Sequence, residues 1–137
     1  MATAAQVGFG LDEVRLFLHV LGATIWVGGQ LVLAALVPVL RTAYPGAAAA
    51  AARRFRTVAW PAFALLALTG IWNVIAIGSE DTAYQAVLGI KLVVVIASGV
   101  SAFVHERART PRSLATTGAV TGLTALVALA LGVVLAG

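Results

Sequence analysis

The chain has no cysteine, and its one methionine is Met1. A disulfide framework, a thiolate nucleophile and a zinc–thiolate site are therefore excluded. The soft sulfur ligands that Cu(I) favours are missing too. Charge is nearly as scarce. Only 10% of the 137 residues are Asp, Glu, Lys or Arg, against about 25% in soluble domains. Nine basic and five acidic side chains could not cover the wetted surface of a soluble domain of this length. No Gly-rich loop precedes a soluble helix, so nucleotide binding is set aside. No Ser/His/Asp constellation shares one layer, which sets nucleophilic hydrolysis aside as well. The sequence carries no convincing internal repeat, and no stretch leaves room for a soluble catalytic domain.

What remains is apolar: 61% of the residues, arranged in four runs. The runs cover 16–40, 57–78, 86–104 and 115–137. Each is long enough to cross a hydrocarbon core of about 30 Å at about 1.5 Å per residue. Inside lipid the backbone must satisfy its own hydrogen bonds, and none of the runs alternates like a barrel strand. The expected fold is therefore all-α: a single domain, an antiparallel four-helix bundle integral to the membrane. Ala47 to Ala52 should extend the second helix beyond the bilayer. Arg41, Arg53, Arg54 and Arg56 sit in the first loop, and Arg107, Arg109 and Arg112 in the third. The second loop has Glu80 and Asp81 and no base. The positive-inside rule places loops one and three in the cytoplasm and both termini outside. The net charge of +4 is thus a topology signal answered by anionic lipid, not a sign of nucleic-acid binding. A cleaved signal peptide is not expected, because the first 14 residues lack a basic n-region.

Polar residues within the runs are the candidates for function, since lipid makes them costly. Counting along the helices puts His19, Asn73 and Lys91 in one layer, about 5–8 Å below the outer interface. His19, Ala23, Trp26 and Gln30 fall on one helical face, as do Lys91, Ser98, Ser101 and His105. Thr69 and Asn73, and Thr117, Thr121 and Thr124, form further stripes. These should turn inward into a partly polar seam. His19 is either a neutral histidine bonded to a backbone group or an Asn, or a ligand or proton-handling group; the scarcity of histidine favours the second. Lys91 either snorkels to the interface or pairs inward. Asn73 and Gln30 read as glue between helices. Trp60 and Trp72 read as interfacial anchors, and Trp26, at mid-depth, as bundle core or the wall of a cofactor pocket. His105, beside Glu106, reads as an inner-edge residue. Arg53, Arg54 and Arg56 are close enough together to take an anionic group or a lipid head. Gly118 and Gly122 would permit close helix contact.

Three strings carry a family resemblance. LFLHVLGATIWVGGQLVLAALVPVLR places a His seven residues before Trp-x-Gly-Gly. RRFRTVAWPAFALLALTGIWN is an Arg/Phe-led helix ending in Thr-Gly. YQAVLGIKLVVV leads into a helix with Tyr-x-x-x-Leu-x-x-Lys. Together they resemble the CopD domain of copper-resistance and copper-uptake membrane proteins, from about Leu16 to Val104. The resemblance implies a multi-pass protein of the bacterial inner (plasma) membrane concerned with copper transport or tolerance. His19 alone cannot close a copper site, so a second protomer or a periplasmic copper-binding partner would complete it. A more distant likeness is to the HemJ-type protoporphyrinogen oxidases, where His19 and Lys91 match a helix-one His and a later Lys. That likeness implies a membrane oxidoreductase holding haem b or a porphyrin. The Pro-Arg-Leu element of that family is absent after helix one. His19 and His105 cannot share one haem within a subunit, since counting sets them about 20 Å or more apart. A structural or assembly subunit without cofactor is the third reading.

Overall fold

A computed structural model describes residues 9–79 and 81–137. The expectation for Glu80 lies outside the described residues. Four helices run antiparallel through short turns: α1 (Leu11–Ala43), α2 (Ala47–Ile77), α3 (Thr82–Arg107) and α4 (Pro111–Ala136). All four are long and apolar enough to cross a membrane. The bundle is all-α, as the apolar runs predict. Each helix reaches past the apolar run that announces it, and the overhangs are where the charges and caps stand.

Local chemistry fixes the ends. The Gly10 N–H donates to Glu13 Oε2 at 2.8 Å, and Asp12 and Glu13 place negative charge at the positive end of α1. The turn between α1 and α2 needs a left-handed residue, supplied by Gly46 at φ 84°. Asp81 caps α3 by accepting from the Tyr84 N–H at 2.8 Å. Thr110 caps α4 by accepting from the Ser113 N–H at 3.1 Å, with Pro111 opening the helix.

The helices pair as two hairpins, α1 with α2 and α3 with α4. In the first, α1 lies close on α2 because Gly22 has no side chain. A Cβ there would stand 3.0 Å from the Ala62 carbonyl oxygen and 3.1 Å from the Leu66 nitrogen. The hairpins meet through an aromatic cluster. Trp26 of α1 has its ring centroid 4.5 Å from Phe63 and 5.7 Å from Trp60, both of α2. The Trp26 indole N–H donates to Ser98 Oγ of α3 at 3.1 Å. Gly99, beside Ser98, leaves the space that the Phe63 ring fills. Large side chains such as Ile75, Val93, Leu123 and Val133 lie exposed on the outside of the bundle, the surface a bilayer would cover.

Regular periodicity breaks at one place in α1. Thr24–Gly28 forms a π-helical turn between two α-helical stretches. The wider turn shifts the register of the helix beyond it. His19 and Trp26 both meet α2, and Trp26 and Gln30 border one cavity. His19 turns to α2, Trp26 reaches α3, and Gln30 borders a cavity shared with α4.

Candidate functional site

Two histidines are held by the same small device. His19 Nδ1 lies 2.9 Å from Thr69 Oγ1, from α1 to α2. His105 Nδ1 lies 2.9 Å from Thr117 Oγ1, from α3 to α4. Each threonine spends its hydroxyl hydrogen one turn back along its own helix. Thr69 donates to the Leu65 carbonyl at 2.7 Å, and Thr117 to the Ser113 carbonyl at 2.6 Å. A hydroxyl has one hydrogen to give. Each threonine oxygen must therefore accept from the ring, which puts the proton on Nδ1 and leaves the Nε2 lone pair open. The tautomer is set by the bonding network. Orienting one ring nitrogen so that the other can bind is how proteins prepare histidine as a metal ligand.

Glycine comes directly after threonine both times. Gly70 sits under the His19 ring, with 3.6 Å from a would-be Cβ to Cε1; at Gly118 the gap to His105 Cε1 is 3.1 Å. A histidine on the first helix of a hairpin and Thr-Gly on the second thus occur twice. One clamp lies near the open end of the α1–α2 hairpin. The other lies at the connected end of the α3–α4 hairpin. The bundle carries one toward each of its ends.

The remaining candidates divide between these ends. Lys91 packs on α4, its Nζ 3.0 Å from where a Cβ on Gly132 would stand. No ion pair of Lys91 occurs among the described residues, whose two salt bridges are Arg15–Asp12 and Arg56–Glu106. Asn73 is half-buried on α2, one turn beyond Thr69. The hydrogen bond to His19 comes from Thr69, not from an Asn side chain. Trp72 is 39% exposed.

The basic end holds more than the sequence suggests. A cavity of about 970 Å³ opens between the hairpins there. His105, Gln30, Arg41, Arg53 and Arg56 border it, with Trp26 and Phe55 among its apolar walls. The Gln30 side-chain nitrogen is buried and has no hydrogen-bond partner. Glu106 is already engaged: it accepts from the Trp60 indole at 2.6 Å and lies 3.8 Å from Arg56. Trp60 is thereby tied to α3. Arg41 and Arg53 have no carboxylate partner among the described residues. Arg54 is not among the residues bordering the cavity. Gly122 opens onto the cavity and Gly118 makes room for His105, so this glycine pair serves a ring and a space, not a close helix contact. Sequence reasoning passed over Arg41 because it stands alone at the end of α1. It also read His105 as a residue of the edge.

No group of three or more His, Cys, Asp or Glu side chains that could hold a metal ion occurs among the described residues. Each clamp offers a single nitrogen. Comparison with curated proteins and with solved structures gives no match. The family model described as copper resistance protein D matches residues 49–137, nearly two-thirds of the chain. That stretch takes in Thr69, Lys91, His105 and Thr117 and leaves α1 with His19 outside. A helical bundle with four spans long and apolar enough to cross a membrane, matching that model from residue 49 onward, belongs to the copper resistance protein D (CopD) family.

Proposed function

We propose that this CopD-family membrane protein serves copper transport or tolerance, with His19 as a copper ligand. The observation that carries the reading is the His19–Thr69 clamp, which keeps an imidazole Nε2 open within an apolar span. Imidazole suits copper, and a free nitrogen in lipid is costly unless it is used. The further ligands come from a second copy of the chain or from a periplasmic copper-binding partner, because no thiolate or thioether stands within the spans.

Purified in detergent and titrated with Cu(I) against a competing chelator, the wild-type protein is expected to retain copper and His19→Ala to lose it. Cells carrying His19→Ala are expected to show the copper sensitivity of cells lacking the protein. Equal copper retention by wild type and His19→Ala would overturn the reading. Orientation has its own test. The two arginine-bearing loops support a basic end on the cytoplasmic side of a bacterial inner membrane. A periplasm-active reporter fused after Gly137 is then expected to be active, and one fused after Arg109 silent; the reverse pattern would turn the molecule over.

A second reading, a protein holding haem b or a porphyrin, is favoured by one observation, the cavity at the basic end. Its volume falls in the range of cofactor pockets, about 300–1,000 Å³. It joins apolar walls to a histidine nitrogen and cationic side chains. The donor set thus fits a haem. The two readings use different histidines and do not compete for one site.

A further inference from the structure

We propose that the cavity at the basic end is a haem-binding site in which His105 Nε2 is the axial ligand and Arg41 and Arg53 take the propionates. The inference rests on the haem reading of this protein. It moves the haem to the opposite end of the bundle from His19 and Lys91, where the distant family likeness would put it.

Four observations converge. The His105 Nδ1 is occupied by Thr117, so Nε2 is the nitrogen left for a ligand, and the ring borders the cavity. A histidine imidazole is a regular proximal ligand of haem iron. Arg41 and Arg53 stand at the mouth with no carboxylate of the described chain to answer them. Guanidinium groups bind carboxylates in paired hydrogen bonds. Glu106, the acid at the same end, lies 3.8 Å from Arg56 and accepts from Trp60, which offsets part of its repulsion of an anion. Deeper in, the Gln30 amide nitrogen has no partner. Gln30 and Arg41 are separated by eleven residues of α1, roughly 16 Å of helix. The cavity therefore asks for an occupant that is anionic at the mouth, apolar and aromatic in the body, and able to bind a nitrogen lone pair. A phospholipid could answer the arginines, and through an ester carbonyl Gln30, but would leave His105 Nε2 unused; haem answers the arginines and the imidazole together.

The test is haem loading of the full chain in detergent, read by the Soret band and by the reduced-minus-oxidised difference spectrum. Wild type is expected to take up haem, and His105→Ala to lose the band. His105→Met, which offers a different axial atom, is expected to keep haem with a shifted spectrum. Arg41→Gln with Arg53→Gln is expected to weaken haem binding about tenfold or more, the loss of charge-assisted hydrogen bonds. His19→Ala is expected to leave the band in place. A band that survives His105→Ala and disappears in His19→Ala overturns this site while keeping the haem reading. A wild-type protein that takes up no haem overturns both, as does native mass spectrometry showing a retained phospholipid that haem does not displace. If His105→Ala fails to fold, the His105→Met spectrum decides: an unshifted one overturns the assignment.

Discussion

Trp26→Ala is expected to destabilise the bundle more than any other single aromatic truncation, by about 2–3 kcal/mol. Truncating a buried tryptophan in a water-soluble core costs about 3–5 kcal/mol, a sum of lost transfer energy and an unfilled cavity. In a bilayer the transfer part is small, because lipid tails are as apolar as the core, and the loss of packing remains. That loss is concentrated at Trp26. The side chain is 3% exposed and touches both Trp60 and Phe63. Its N–H reaches Ser98, which is 1% exposed. The hydrogen bond contributes less than the ring, since such bonds between membrane helices average about 0.6 kcal/mol. Trp26→Phe is accordingly expected to recover most of the loss. Thermal melting in detergent would measure it, with Trp72→Ala as the control because Trp72 is 39% exposed. Equal melting shifts for the two alanine variants would remove Trp26 from its place at the junction of the hairpins.

The position of Trp26 also shows where the sequence could and could not be read. Four spans are legible because lipid imposes one rule on every backbone group and apolar runs answer it. The overhang of α2 is legible in Ala47 to Ala52 and the arginines beyond. Trp26 as core or pocket wall is legible from its depth, and the structure makes it both. The π-helical turn between His19 and Gln30 is not legible. Nothing in Thr24–Gly28 announces such a turn except a pair of glycines at its end, common in so small-residue a chain. The two His···Thr-Gly clamps escape a search for repeats for a different reason. Histidine and threonine are 50 residues apart in one and 12 in the other. The spacing differs because one clamp joins helices at the open end of a hairpin and the other beside its turn. Only the pairing of the helices reveals them as one device used twice. Arg41 and Arg53 come together across the first loop in the same way, brought to one cavity by the hairpin and not by their neighbourhood in the chain.

If His19 binds copper through Nε2, the threonine that frees that nitrogen should matter nearly as much as the ligand. Thr69→Val is expected to weaken Cu(I) binding about 10–100-fold, the usual cost of removing the group that orients a metal-binding histidine. Valine keeps the volume and β-branching of threonine and loses the oxygen. The van der Waals contacts near Gly70 and Leu66 therefore persist while the acceptor 2.9 Å from Nδ1 disappears. The ring then loses the hydroxyl that favours its proton on Nδ1. A share of the molecules moves it to Nε2, the nitrogen the metal needs, and the Nδ1–H of the rest is left unpaired in a part-buried site. Helix content and the melting temperature should change little, because the bond from Thr69 to the Leu65 carbonyl is a local one that bends the helix more than it stabilises it. Thr69→Ser, which restores the oxygen, is expected to bring copper affinity back toward wild type. The nitrogen chemical shifts of His19 report the tautomer with no metal present, so the clamp can be tested apart from copper. If Thr69→Val leaves His19 protonated on Nδ1, the clamp is not what sets the ring. If the tautomer shifts but copper affinity does not, His19 is oriented for something other than copper, and the proton it can accept at Nε2 becomes the property to pursue.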